Sequence, residues 1–189
     1  MWKKFYWAAI AWGLCCPLAS ANARAQPSVG RTELGVHFTT ISLHEFGEKP
    51  SGVGGRFVYN LSSHISLEAE ANHFPENPSG NFGETQALFG VKAGKRFERI
   101  GVFVKARPGV IHFGGGDFSQ RLRDKTHLAL DLGGVLEYGL SPHIFVRFDL
   151  GDTIIAFGGA TFLSAVSPGP TRLGTIHNLQ ASIGLGIRF

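Results

Sequence analysis

The chain has 189 residues, of which 43% are hydrophobic and 17% charged, with 26 glycines and a formal net charge of +4. That balance is too apolar for a disordered chain and too rich in glycine for a helix bundle. The length suits a single domain.

The first segment carries Lys3 and Lys4 as a short positive head. An apolar run follows over residues 5–18, and then small residues at Ala19, Ser20, Ala21, Ala23 and Ala25. This is the three-part pattern of a secretory signal, expected over residues 1–25. Two A-x-A sites compete, ending at Ala23 and Ala25, and cleavage after Ala25 is the favoured reading. The run falls short of the ~20 apolar residues that a membrane-spanning helix needs. Leu14 before Cys15 and Pro17 after Cys16 argue against a lipoprotein site. Cleavage would remove Lys3, Lys4 and Arg24, leaving 15 of the 18 basic residues against 14 acidic ones. That near-neutral mature chain offers no electrostatic case for nucleic acid. Cys15 and Cys16 would leave as well, and with them any disulfide or thiolate metal site.

From residue 26 onward the dominant signal is period-two alternation, which means strands. Eight segments show it: 31–43, 53–61, 64–74, 84–96, 100–113, 124–140, 143–153 and 175–189. In the third, Ile65, Leu67, Ala69 and Ala71 oppose Glu68, Glu70 and Asn72. In the sixth, Leu128, Leu130, Leu132 and Leu136 oppose Asp131 and Glu137. In the seventh, Ile144, Val146, Phe148 and Leu150 oppose Arg147 and Asp149. The last keeps every odd position apolar up to the final Phe189. Short turns near 61–64, 96–100 and 140–143 alternate with longer connections at 44–52, 74–83, 113–123 and 154–174. All the long connections therefore fall at one end. The run Tyr59-Asn60-Leu61-Ser62-Ser63-His64-Ile65 recurs as Tyr138-Gly139-Leu140-Ser141-Pro142-His143-Ile144. Both copies fall on short turns, so the repeat reads as a reused hairpin and not as a solenoid.

These features predict an all-β fold: a closed, antiparallel, up-and-down transmembrane barrel of about eight strands. One domain, 26–189, follows the signal. In such a barrel the apolar face points to lipid and the polar face inward. Alternation assigns Glu33, Glu68, Glu70, Asp131, Glu137 and Asp149 to the interior, with Arg56, Lys92, Lys105, Arg107, Arg147 and Arg188. Six acids then face six bases in a lumen that side chains can fill, and opposite charges there can pair. Tyr59, Tyr138 and Phe189 fall on the apolar face near the short-turn end, where aromatic girdles sit in transmembrane barrels.

The strand number, the Tyr-x-Leu-Ser-x-His-Ile hairpins and the ending Gly186-Ile187-Arg188-Phe189 resemble the small outer-membrane β-barrel superfamily that includes the OmpA transmembrane domain and OmpX. The resemblance covers about residues 28–189. It implies a Gram-negative outer-membrane location, surroundings of outer-membrane lipid and lipopolysaccharide, and a monomer. It also implies that Leu185, Ile187 and Phe189 form the signal read by the barrel-assembly machinery. Because the chain stops at the last strand, no peptidoglycan-binding domain is expected to follow.

Some barrels of this kind are lipid A-modifying enzymes, so nucleophile–base pairs matter. His64 and Ser66 lie two apart, on the expected lumen side beside Glu68. Ser141 and His143 flank Pro142 in a turn, which suits turn chemistry. His177 and Asn178 point to opposite faces. The eight histidines include no close pair of metal-ligand type, and Gly114-Gly115-Gly116-Asp117 lacks the lysine and helix of a phosphate cradle. The 154–174 connection, with Phe157, Phe162, Leu163, Pro168 and Pro170, is unusually apolar and is a candidate cover for the barrel mouth or a partner site. Eight strands are too few for a wide pore, since porins use about 16. The expected function is a non-enzymatic envelope protein whose barrel anchors surface loops for envelope integrity, adhesion or surface interaction, with no cofactor, metal or catalytic residue. The alternatives are a deacylase-like lipid A-modifying enzyme and a soluble, secreted, lipocalin-like binding barrel.

Overall fold

The computed structural model describes residues 30–43, 47–76, 83–115, 124–158, 161–163, 170–172 and 174–189. The expected signal peptide lies outside these residues, as do Pro168 and the Gly116-Asp117 pair. The strands are β1 (Thr32–Ser42), β2 (Ser51–Asn60), β3 (Ile65–Phe74), β4 (Gly83–Arg96), β5 (Ile100–Gly115), β6 (Thr126–Gly139), β7 (Ile144–Ala156), β8 (Thr161–Leu163), β9 (Pro170–Arg172) and β10 (Thr175–Arg188). Eight of them close into an antiparallel barrel in the order β1-β10-β7-β6-β5-β4-β3-β2, and β8 with β9 makes a separate two-stranded hairpin. Closure pairs the first strand with the last, Glu33 opposite Arg188 and Ser42 opposite Leu179. No barrel edge is left open, which is the condition for crossing a bilayer with strands.

Alternation decides the two faces. Along β5, Phe103, Lys105, Arg107, Ile111 and Phe113 are buried inward, while Val102, Val104 and Val110 point out. The outward wall is apolar and open to its surroundings, with Val36 at 69%, Val104 at 66% and Leu128 at 69% exposure. In a water-soluble barrel these side chains would face the core.

Both copies of the repeat build the same tight turn. Leu61 and Ser62 donate backbone hydrogen bonds to the Ile65 carbonyl, at 3.0 Å each, and Leu140 and Ser141 do so to Ile144 at 2.9 and 3.1 Å. The Ser62 hydroxyl oxygen accepts from the backbone amides of His64 and Ile65, and Ser141 accepts from those of His143 and Ile144. The serine side chain thus supplies the acceptor that a short connection lacks.

Several strand ends differ from the alternation boundaries. β7 runs to Ala156, past residue 153, and β5 runs to Gly115, so Gly114 and Gly115 belong to a strand and not to a loop. β2 begins at Ser51, and His64 lies in the turn before β3. The 154–174 connection holds the β8–β9 hairpin, whose three-residue strands are too short to show a period.

Candidate functional site

The interior divides into zones along the barrel. At the short-turn end, the twelve charged residues assigned inward by alternation meet in one network, joined by Arg96 from the end of β4. Arg147 donates to Glu68 at 3.0 Å and to Asp149 at 2.8 Å. Arg107 donates to Asp131 at 2.8 Å and also pairs with Glu70. Arg56 holds Glu70 at 2.6 Å and Asp149 at 3.2 Å. Lys105 lies between Asp131 and Asp149, at 3.0 and 3.3 Å. Lys92 pairs with Glu137 and reaches Glu68 at 3.5 Å and Glu33 at 3.8 Å. Arg96 and Arg188 close the end by bonding Glu33 and Glu137. Arg96 has the same parity as Lys92, so alternation marks it too. Its place beside the turn at Phe97 hid it.

These contacts cross the lumen. β7 and β3 lie four places apart in the circle of eight, so the Arg147–Glu68 pair spans the diameter. Aromatic rings add to the packing: Lys92 lies 4.6 Å from the centre of the Phe103 ring, and Arg188 lies 4.7 Å from that of Phe145. Phe145 packs directly over Gly186, where a Cβ would collide with its ring.

A layer of neutral hydrogen bonds follows. Gln86 and Gln180, again on opposite walls, exchange amide bonds of 3.3 and 3.2 Å. Thr153 and Thr39 bond Gln180, and Asn72 donates to both Glu70 and Gln86. His37 bonds Asn72 at 2.7 Å, and Gly54 makes room for that contact, since a Cβ there would strike both partners.

At the long-connection end the interior turns apolar. Ile41, Leu43, Phe74, Leu88, Ile111, Phe113, Ala129, Ile155, Phe157 and Ile176 form one buried cluster. Phe157, expected on a covering loop, fills the barrel end itself. Within the described residues, ion pairs, amide bonds and this cluster fill the lumen one above another.

The candidate catalytic pair does not form. Ser66 is buried and donates to Asn60 at 2.7 Å, whereas His64 is exposed in its turn and bonds Ser63 at 2.8 Å. The expectation that His64 shares the lumen side fails because Ser62 caps a turn that takes residue 64 out of the strand. His177 points outward to Asp152 at 2.6 Å, and Asn178 points inward. Among the described residues, no group of three or more His, Cys, Asp or Glu is placed to hold a metal ion. On the outer wall, Tyr59 and Tyr138 are exposed at the short-turn end, and Leu185, Ile187 and Phe189 continue the apolar face to the last residue.

A family model described as "Outer membrane protein beta-barrel domain" matches residues 8–189. No curated protein sequence matches the chain. Among solved structures, Neisserial surface protein A is similar at 11% identity and a TM-score of 0.57, over 84% of this chain and 96% of that one. The outer membrane protein OprG of Pseudomonas aeruginosa is similar at 12% identity and 0.55, over 85% and 96%. The N-terminal β-barrel domain of Pseudomonas aeruginosa OprF is similar at 12% and 0.52, over 85% and 99%. At these identities the likeness concerns the fold.

Proposed function

The chain belongs to the outer membrane protein beta-barrel domain family, and from that premise we propose that it is a non-enzymatic outer-membrane protein whose barrel anchors surface loops for envelope integrity, adhesion or surface interaction. The observation that carries this reading is the inversion of the barrel: a wide apolar wall outside, and an ion-paired interior inside. Such a wall is stable in lipid and a liability in water.

In this reading the outer wall meets outer-membrane lipid and lipopolysaccharide, with Tyr59 and Tyr138 at the periplasmic interface. The four long connections face outward from the cell and carry the variable function, since loops on a rigid scaffold commonly do. Leu185, Ile187 and Phe189 serve as the signal for the assembly machinery, residues 1–25 as the export signal, and the barrel acts as a monomer. A lumen filled by paired side chains supports an anchoring role over bulk conduction. The separation of His64 from Ser66 supports a non-enzymatic one.

Fractionating inner and outer membranes, and comparing unheated with boiled samples on a gel, tests this reading. Outer-membrane recovery with a heat-dependent mobility shift, weakened by deleting Phe189, is the expected result. Soluble periplasmic recovery without a shift would overturn it in favour of a lipocalin-like binder.

A further inference from the structure

Glu84 stands apart from the other inward acids. It is 1% exposed, and among the described residues neither of its carboxylate oxygens has a hydrogen-bond partner and no cation pairs with it. The six other inward acids of the lumen all join the ionic network. Glu84 sits instead at the loop end, in the apolar zone. Its cross-strand partners on either side are Phe74 and Phe113, both buried inward. Phe113 stacks on Phe157 with ring centres 5.9 Å apart, and the His127 ring lies 4.5 Å from Phe157.

An ionised carboxylate alone in such surroundings is strongly disfavoured, and a neutral one still leaves buried polar atoms unpaired. The fold therefore keeps a strong acceptor without a donor, between aromatic side chains. An organic cation answers both features. Its N–H groups would bond the carboxylate, and its charge is attracted to aromatic faces. The wall beside Glu84 is also the irregular part of the β4–β5 ladder. Gly83 faces Gly115 and Glu84 faces Phe113, which leaves Gly114 opposite no residue. Such bulges interrupt pairing and re-aim side chains next to sites, and the three glycines leave this part of the wall without side chains.

We propose that Glu84 anchors a binding site for an organic cation, a primary ammonium or guanidinium group, at the loop end of the barrel.

The test uses the mature barrel refolded in detergent micelles, its folding checked by the heat-dependent gel shift, with agmatine as the probe in calorimetric titration. Wild type binds agmatine saturably. Glu84→Gln, which keeps the shape and removes the charge, binds at least about tenfold more weakly, equivalent to ~1.4 kcal/mol. Glu84→Leu loses binding and unfolds at a higher temperature than wild type, because it removes the unpaired acid. Equal affinity in wild type and Glu84→Gln would overturn the proposal. So would a folded wild-type barrel that binds no agmatine at roughly millimolar concentration. Either result would leave the envelope reading standing, because that reading is judged by the gel shift and not by the titration.

Discussion

The two ends of the lumen solve the same problem by different chemistry. At the short-turn end, seven basic side chains, Arg56, Lys92, Lys105, Arg107, Arg147, Arg96 and Arg188, hold six acids in a connected network. At the loop end, ten apolar residues fill the same eight-stranded cross-section by packing. Pairing is specific but fragile, because each charge depends on named partners. Packing is less specific and degrades gradually when atoms are removed. The ionic end is therefore expected to be the sensitive one, and substitutions of graded severity measure how far the two ends differ.

The largest effect is expected from Arg147→Ala, which strips Glu68 and Asp149 of their closest partner. Breaking a buried pair from one side costs about 3–5 kcal/mol, read as a fall in the urea midpoint of the folded band on unheated gels. A loss below ~1 kcal/mol would mean that the network re-pairs and is no more fragile than the packed end. The same cation on the other side of the wall sharpens the contrast. Leu130 points outward on β6, and Leu130→Arg should cost about 2–4 kcal/mol near the bilayer midplane. A negligible cost would count against a lipid-facing Leu130. At the packed end, Ile155→Val removes one buried methylene and should cost about 0.5–1.5 kcal/mol in the same assay. The smallest change belongs to the exposed Asp152–His177 contact on the outer wall. Asp152→Asn weakens its contact with His177, and less than ~1 kcal/mol is expected. A larger loss would show that exposure is a poor guide to the worth of this barrel's polar contacts.

The same two ends explain what was legible in the sequence. Where the interior is charged, alternation is plain: Arg147 and Asp149 between Val146, Phe148 and Leu150, or Glu68 and Glu70 between Leu67, Ala69 and Ala71. The inward positions could be read directly there. Where the interior turns apolar, both faces carry the same kind of residue and the period disappears. Val110 with Ile111, and Ile154 with Ile155, read as continuous apolar runs, so the strand assigned to 143–153 ended three residues early. The apolar cluster was hidden for the same reason, because Ile41, Phe74 and Ile155 look like wall residues when composition alone is read. Glu84 shares the parity of Gln86 and Lys92 but sits at the boundary of its segment, next to a register shift that no periodicity reveals. The partners of each charge were also out of reach. Glu68 and Arg147 are 79 residues apart, and only barrel closure brings them across the lumen.

The inside-out wall is tested most directly by fluorescence. All three tryptophans, Trp2, Trp7 and Trp12, fall in the expected signal segment, so with that segment removed the barrel carries no tryptophan and accepts a single tryptophan reporter. Val104→Trp places the reporter on the outward face of β5, and Phe103→Trp places it one residue away on the inward face. In vesicles of lipid brominated along the acyl chain, strong quenching at position 104 and weak quenching at position 103 are predicted. Equal quenching at the two positions, or stronger quenching at 103, would contradict a barrel whose apolar wall faces lipid and whose charges face inward.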